Sequence, residues 1–122
     1  VGVAVELAAA AQPLLPLRIR AVEFQDPMVV VMGERWSLAL LGPWAWTRAS
    51  TVEVDWRDDD AEHRVWDLCG MDVLGVVPGT AEPAVSFRLS DGSSLSALPD
   101  DTTYEQWTFR HHDLAVVFVG SR

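Results

Sequence analysis

At 122 residues and a net charge of −9, the chain is long enough to bury one core and too short for two ordinary domains. Its nine basic residues are all arginine and are not clustered in the sequence, which disfavours a broad cationic face for nucleic acid or an anionic membrane and leaves a basic protein partner open. One cysteine excludes an internal disulfide and suits a reducing cytoplasm.

Residues 1–16 read as an N-terminal arm or short helix. The apolar run over residues 1–11 contains an alanine tract, but Glu6 interrupts it, no basic residue precedes it, and it is too short to span a bilayer. In residues 17–57, the first half, the apolar period is closer to two than to 3.6, and valine, tryptophan, phenylalanine and threonine fit pleated, half-buried strands. Strands are predicted at 18–24, 28–32, 36–41 and 51–56. Asp26-Pro27, Gly33-Glu34 and Gly42-Pro43 separate them and supply the backbone angles that turns need.

Trp44 and Trp46 flank Ala45 just after Gly42-Pro43 and share one face if extended. Two readings stay open: an exposed aromatic contact patch, or a pair packed beneath a loop or the N-terminal arm. The densest charge follows in Glu53, Asp55, Asp58, Asp59, Asp60 and Glu62. Such a run is either a solvated loop or a surface that docks a basic protein. It is no EF-hand, since residues 58–63 lack the turn glycine and the bidentate glutamate. Residues 61–68 are ambiguous, because Val65 and Leu68 fit one face of a helical turn whereas Trp66 fits a strand. Cys69, between Leu68 and Gly70, is expected to be a buried, inert thiol.

Residues 68–120 form the second half, with strands predicted at 72–77, 84–89, 94–98, 105–110 and 114–119 and a tight turn at Ser90-Asp91-Gly92-Ser93. Trp36, Trp56 and Trp107 sit at alternating strand positions and are expected in the core. Tyr104 and Glu105 would face opposite ways on a strand, so a structural role is expected, with Glu105 holding a turn or pairing with Arg88 or Arg110. His111-His112-Asp113 reads as a polar hairpin turn rather than a metal site, since adjacent histidines on a strand diverge. With no Gly-x-Ser-x-Gly elbow, no oriented Cys-His pair and no phosphate loop, the sequence offers no catalytic residue, metal or cofactor, and the protein is expected not to be an enzyme.

A weak internal repeat lays Met28-Val30-Gly33-Trp36-Leu38 on Phe87-Leu89-Gly92-Leu95-Ala97, each half then being a hairpin preceded by one strand. The second half also carries a three-part pattern: Leu68-Cys69-Gly70-Met71-Asp72-Val73, then Phe87-Arg88-Leu89-Ser90-Asp91-Gly92-Ser93-Ser94-Leu95, then Tyr104-Glu105-Gln106-Trp107. In this it resembles a family of small uncharacterised bacterial proteins, many actinobacterial, some of them immunity-like partners of toxins. The absence of Lys and Asn and the single Ile19 fit a GC-rich bacterial genome. The chain departs from that family at its end, where Val119-Gly120-Ser121-Arg122 replaces a Pro-Gly-Gly-like close. The resemblance implies a small β-rich fold and a binding role.

These readings give a mainly β single domain over residues 1–122, either a small sandwich or a partly open barrel of eight or nine short strands. The function expected is a non-catalytic protein-binding module in the cytoplasm, covering a basic toxin-like partner through Trp44, Trp46, Asp58, Asp59, Asp60 and Glu62. Two competing classes are a small-molecule binder or enzyme using an internal β cavity with Tyr104, Glu105, His111 and His112 near its mouth, and a homo-oligomer whose apolar face is its own interface.

Overall fold

The structure, a computed structural model, describes residues 2–98, 100 and 105–121. Helix α1 (Val3–Ala11) and a 3-10 turn (Gln12–Leu14) lead into strands β1 (Leu17–Arg18), β2 (Ala21–Gln25), β3 (Met28–Met32), β4 (Trp36–Leu40), β5 (Trp44–Arg48) and β6 (Thr51–Asp55). A short helix α2 (Ala61–Val65) and a second 3-10 turn (Trp66–Leu68) precede β7 (Asp72–Pro78), β8 (Val85–Leu89), β9 (Ser94–Ala97), β10 (Glu105–His111) and β11 (Phe118–Ser121). The strands form two antiparallel sheets, ordered β1-β7-β8-β9-β5-β6 and β11-β10-β4-β3-β2. Neither closes into a barrel, so the sandwich is the architecture adopted.

Alternation explains which side chains meet between the sheets. Val29 and Val31, Leu38 and Leu40, and Trp107 and Phe109 of the five-stranded sheet point inward and are buried against Trp44, Trp46, Phe87 and Leu89 of the six-stranded one. At each open side a helix packs against strands of both sheets: α1 touches β7 and β11, α2 touches β6 and β2. Small residues let α1 approach closely, since it buries Ala4, Leu7 and Ala11. Its free N-terminal amides are held by Glu82 from the β7–β8 connection, whose carboxylate accepts from Ala4 N at 2.9 Å and Val5 N at 3.3 Å. The N-terminal segment is thus a docked helix.

Apart from the two-residue β1, the chain lays down the same order twice: helix, 3-10 turn, three-strand meander, two-strand hairpin. Each hairpin leaves its own meander and pairs in the opposite sheet, β5 with β9 and β10 with β4. The two halves therefore exchange their hairpins. A matching bond marks both exchanges, for the Trp44 indole N–H donates to the Pro27 carbonyl at 2.8 Å and the Trp107 indole N–H to the Pro83 carbonyl at 2.7 Å. With these tryptophans equated, the ladders put Leu38 with Leu95 and Leu40 with Ala97 across the neighbouring strand, and Val31 with Phe87 across the meander. The repeat expected from sequence is corrected in register: buried Phe87 corresponds to buried Val31, whereas Met28 is only partly buried.

Three further expectations need correction. The predicted strand at 18–24 breaks at Ile19 and Arg20, where the chain passes from one sheet to the other; Ile19 N bonds Met71 O and Arg20 N bonds Met32 O, both at 2.8 Å. Residues 44–48, left without a strand, form β5, which lies between β9 and β6. The strand predicted at 114–119 starts only at Phe118, because the amide of Leu114 turns back to His111 O at 3.0 Å.

Candidate partner-docking face

The acidic stretch between β6 and α2 folds into a tight knuckle. Asp55 N donates to the Asp58 carboxylate at 2.8 Å and Asp58 N to Asp55 O at 2.9 Å, so these two aspartates make the turn. Arg57 folds back on Asp55, its amide at 2.9 Å and its Nε at 3.2 Å, and this bonding holds the Asp55 carboxyl below its ordinary range against the opposing effect of burial. Arg64 turns toward β6, donating to Glu53 O at 3.0 Å and lying 3.5 Å from the Glu53 carboxylate. The nearby cations are thus used within the turn and its helix.

Asp59, Asp60 and Glu62 remain exposed and form no ion pair among the described residues. Asp26, on the β2–β3 turn, joins them across a crevice of about 190 Å³ bordered by Phe24 and Arg57. Helix α2 buries Ala61 and Val65, and the turn after it buries Leu68. The opposite side of this segment presents Glu62, His63, Trp66 and Asp67. Trp66 is 52% exposed, which puts a large aromatic surface one helical turn beyond Glu62.

Of the six residues expected at the contact, Asp58, Asp59, Asp60 and Glu62 lie together on this surface, whereas Trp44 and Trp46 do not. Trp44 is fully buried and Trp46 nearly so, with the Trp46 indole N–H donating to Ser93 Oγ at 2.8 Å. Both lie on the face of β5 turned toward the other sheet, where Trp44 reaches the Pro27 carbonyl, so neither offers a ring to a partner. Trp66, left undecided between helix and strand, is the exposed tryptophan of this face. Its signal in the sequence was Val65 and Leu68 on one helical face, which forces position 66 outward. Trp36 and Trp107 are buried as expected, and Trp56 is partly buried with the Arg57 guanidinium 5.8 Å from its ring.

Cys69 is exposed rather than buried, because the 3-10 turn that buries Leu68 ends there in extended backbone. Asp91-Gly92 is a turn, with Gly92 at φ 89°, and His112 and Asp113 also lie in a turn. Glu105 is exposed and pairs with neither Arg88 nor Arg110. Tyr104 lies outside the described residues. His111 and His112 border an outer groove, whereas Trp44, Trp107, Phe87 and Phe109 occupy the interior. Among the described residues no group of three or more His, Cys, Asp or Glu side chains is placed to hold a metal ion, and no helix is long and apolar enough to cross a membrane. Comparison with protein-family models, curated proteins and solved structures finds no match for this chain.

Proposed function

We propose that this protein is a non-catalytic binding module that docks a basic protein partner through the knuckle at residues 58–62, with Trp66 as its aromatic anchor. One observation carries the reading: a half-exposed tryptophan stands one helical turn beyond Glu62, at the end of a stretch in which Asp59, Asp60 and Glu62 form no ion pair among the described residues. A charged rim around an aromatic anchor is the composition of an association surface, the charge setting encounter rate and the ring supplying affinity. The expected resemblance of the second half to a family of uncharacterised bacterial proteins, some of them immunity-like, makes a toxin-like protein the partner proposed.

The reading is tested by mixing the purified protein with the product of a toxin-like gene adjoining its own and measuring affinity against salt. A complex is expected that weakens as salt rises, loses tenfold or more in affinity in Trp66→Ala, about 1.4 kcal/mol, and associates more slowly in Asp59→Lys. No complex at low salt, or one indifferent to both substitutions, overturns it.

A further inference from the structure

The two ends of β3 differ sharply in charge. Its start adjoins Asp26 and the acidic knuckle, whereas its end, Met32, opens on a groove of about 500 Å³ bordered by Arg35, Trp36, Arg110, His111 and His112. Arg35, Trp36 and His111 also line an adjoining recess of about 230 Å³, to which Arg18 and Arg20 contribute. In a protein of net charge −9, four of nine arginines thus converge on one end. Arg110 is far from the other three in the sequence, and only the exchange of β10 into the sheet of β3 and β4 brings it to the groove that Arg35 borders.

The arginines are not equally occupied. Arg18 bonds Asp72 at 2.5 Å and Arg35 bonds Asp113 at 2.6 Å, while Arg20 lies 3.8 Å from Glu34, which also borders the groove. Arg110 is exposed and has no ion pair among the described residues. His111 accepts the Asp113 amide N–H on Nδ1 at 2.9 Å, so a neutral imidazole carries its proton on Nε2 and can donate from there. Met32 adds apolar surface on the face it shares with Ser37 and Arg110, and the volume falls within the range of small-molecule sites.

The matching corner of the other half shows that the fold does not require this cluster. There Thr47 stands where Arg110 does and Ser93 where Trp36 does, as the ladders to β9 and β4 fix. Arg48, the counterpart of His111, is consumed between Glu53 at 2.9 Å and Asp91 at 2.6 Å. That corner keeps a smaller groove of about 290 Å³ bordered by one arginine, Arg88, whereas the groove at the end of β3 is bordered by Arg35 and Arg110 and adjoins Arg18 and Arg20.

We infer that this groove binds a small ligand carrying an oxyanion, carboxylate or phosphate, held by Arg110 with Arg35, its apolar body resting on Met32, which shares the outer face of the sheet with Ser37 and Arg110. Charge-assisted bonds to guanidinium supply the affinity, and the apolar floor favours an anion with an organic body over a bare one.

The test is an NMR titration of the whole protein at constant ionic strength with phenyl phosphate, benzoate, inorganic phosphate and chloride. Saturable shifts are expected at the amides of residues 33–37 and 110–112, with an aromatic anion binding more tightly than inorganic phosphate. The stronger of phenyl phosphate and benzoate identifies the oxyanion. Arg110→Gln is expected to weaken binding about tenfold to a hundredfold. Arg88→Gln, which removes another exposed arginine without an ion pair among the described residues, on the other sheet, is expected to leave binding unchanged. No saturable shift at millimolar concentration, equal shifts with chloride, or equal affinity in Arg110→Gln overturns the proposal.

Discussion

The tryptophans show how little composition decides by itself. Trp44 fills the core and bonds Pro27, whereas Trp66 faces water beside Glu62. Truncating Trp44 removes a fully buried ring and leaves a cavity, so Trp44→Ala is expected to cost about 3–5 kcal/mol in chemical denaturation. Trp66→Ala is expected to change stability by less than about 0.5 kcal/mol, since it opens no cavity. The same economy appears where the halves differ: Trp46 reaches Ser93, while Phe109 stacks on Trp36 at 6.2 Å between centroids. A large ring opposite a small hydroxyl in one half is exchanged for a smaller ring opposite a large one in the other, which keeps both corners filled.

At the scale of elements, ion pairs tie each exchanged hairpin to the meander turn that it meets. Arg48 at the end of β5 bonds Asp91 in the β8–β9 turn, and Asp113 after β10 bonds Arg35 in the β3–β4 turn, so the polarity of the tie reverses between halves. Burial pushes the Asp91 carboxyl up, but bonds from Ser93 and Arg48 outweigh it and leave Asp91 below its ordinary range. Arg35 likewise holds Asp113 low, and Arg18 holds Asp72 low. A carboxyl depressed on folding stabilises the native state above its unfolded pKa, and the contribution disappears as pH falls through the folded value. Asp91→Asn is therefore expected to lower stability by roughly 1 kcal/mol at neutral pH. The difference from wild type should close below about pH 4, as thermal melts across pH will show.

For the molecule as a whole, hairpin exchange makes the halves interdependent. Without β10 the meander that ends in β4 lacks its neighbour, and without β5 the meander that ends in β9 lacks its own. Helix α1 also packs against β7 and β11, which belong to the other half. Fragments 1–59 and 60–122 are accordingly expected to lack fixed tertiary structure alone and to regain it when mixed, read by near-ultraviolet circular dichroism of the tryptophans. A fragment that folds by itself would show that each half closes its own core. The acidic knuckle and the arginine groove, at opposite ends of β3, further give the molecule two chemically opposed ends.

Alternation along 28–32, 36–40 and 85–89 and the turn at Asp91-Gly92 were legible in the amino-acid order, because a strand's inward face and a tight turn are local properties. So was the acidic knuckle, a contiguous run. Local pattern could not tell that β5 would sit inside a sheet and bury Trp44 and Trp46, since burial depends on which strands arrive on either side. It could not assemble Arg18, Arg20, Arg35 and Arg110 either, for charges distant along the chain meet only once pairing between strands is decided. Composition and periodicity determined a mainly β domain; long-range strand pairing decided which of its aromatic and charged side chains face water.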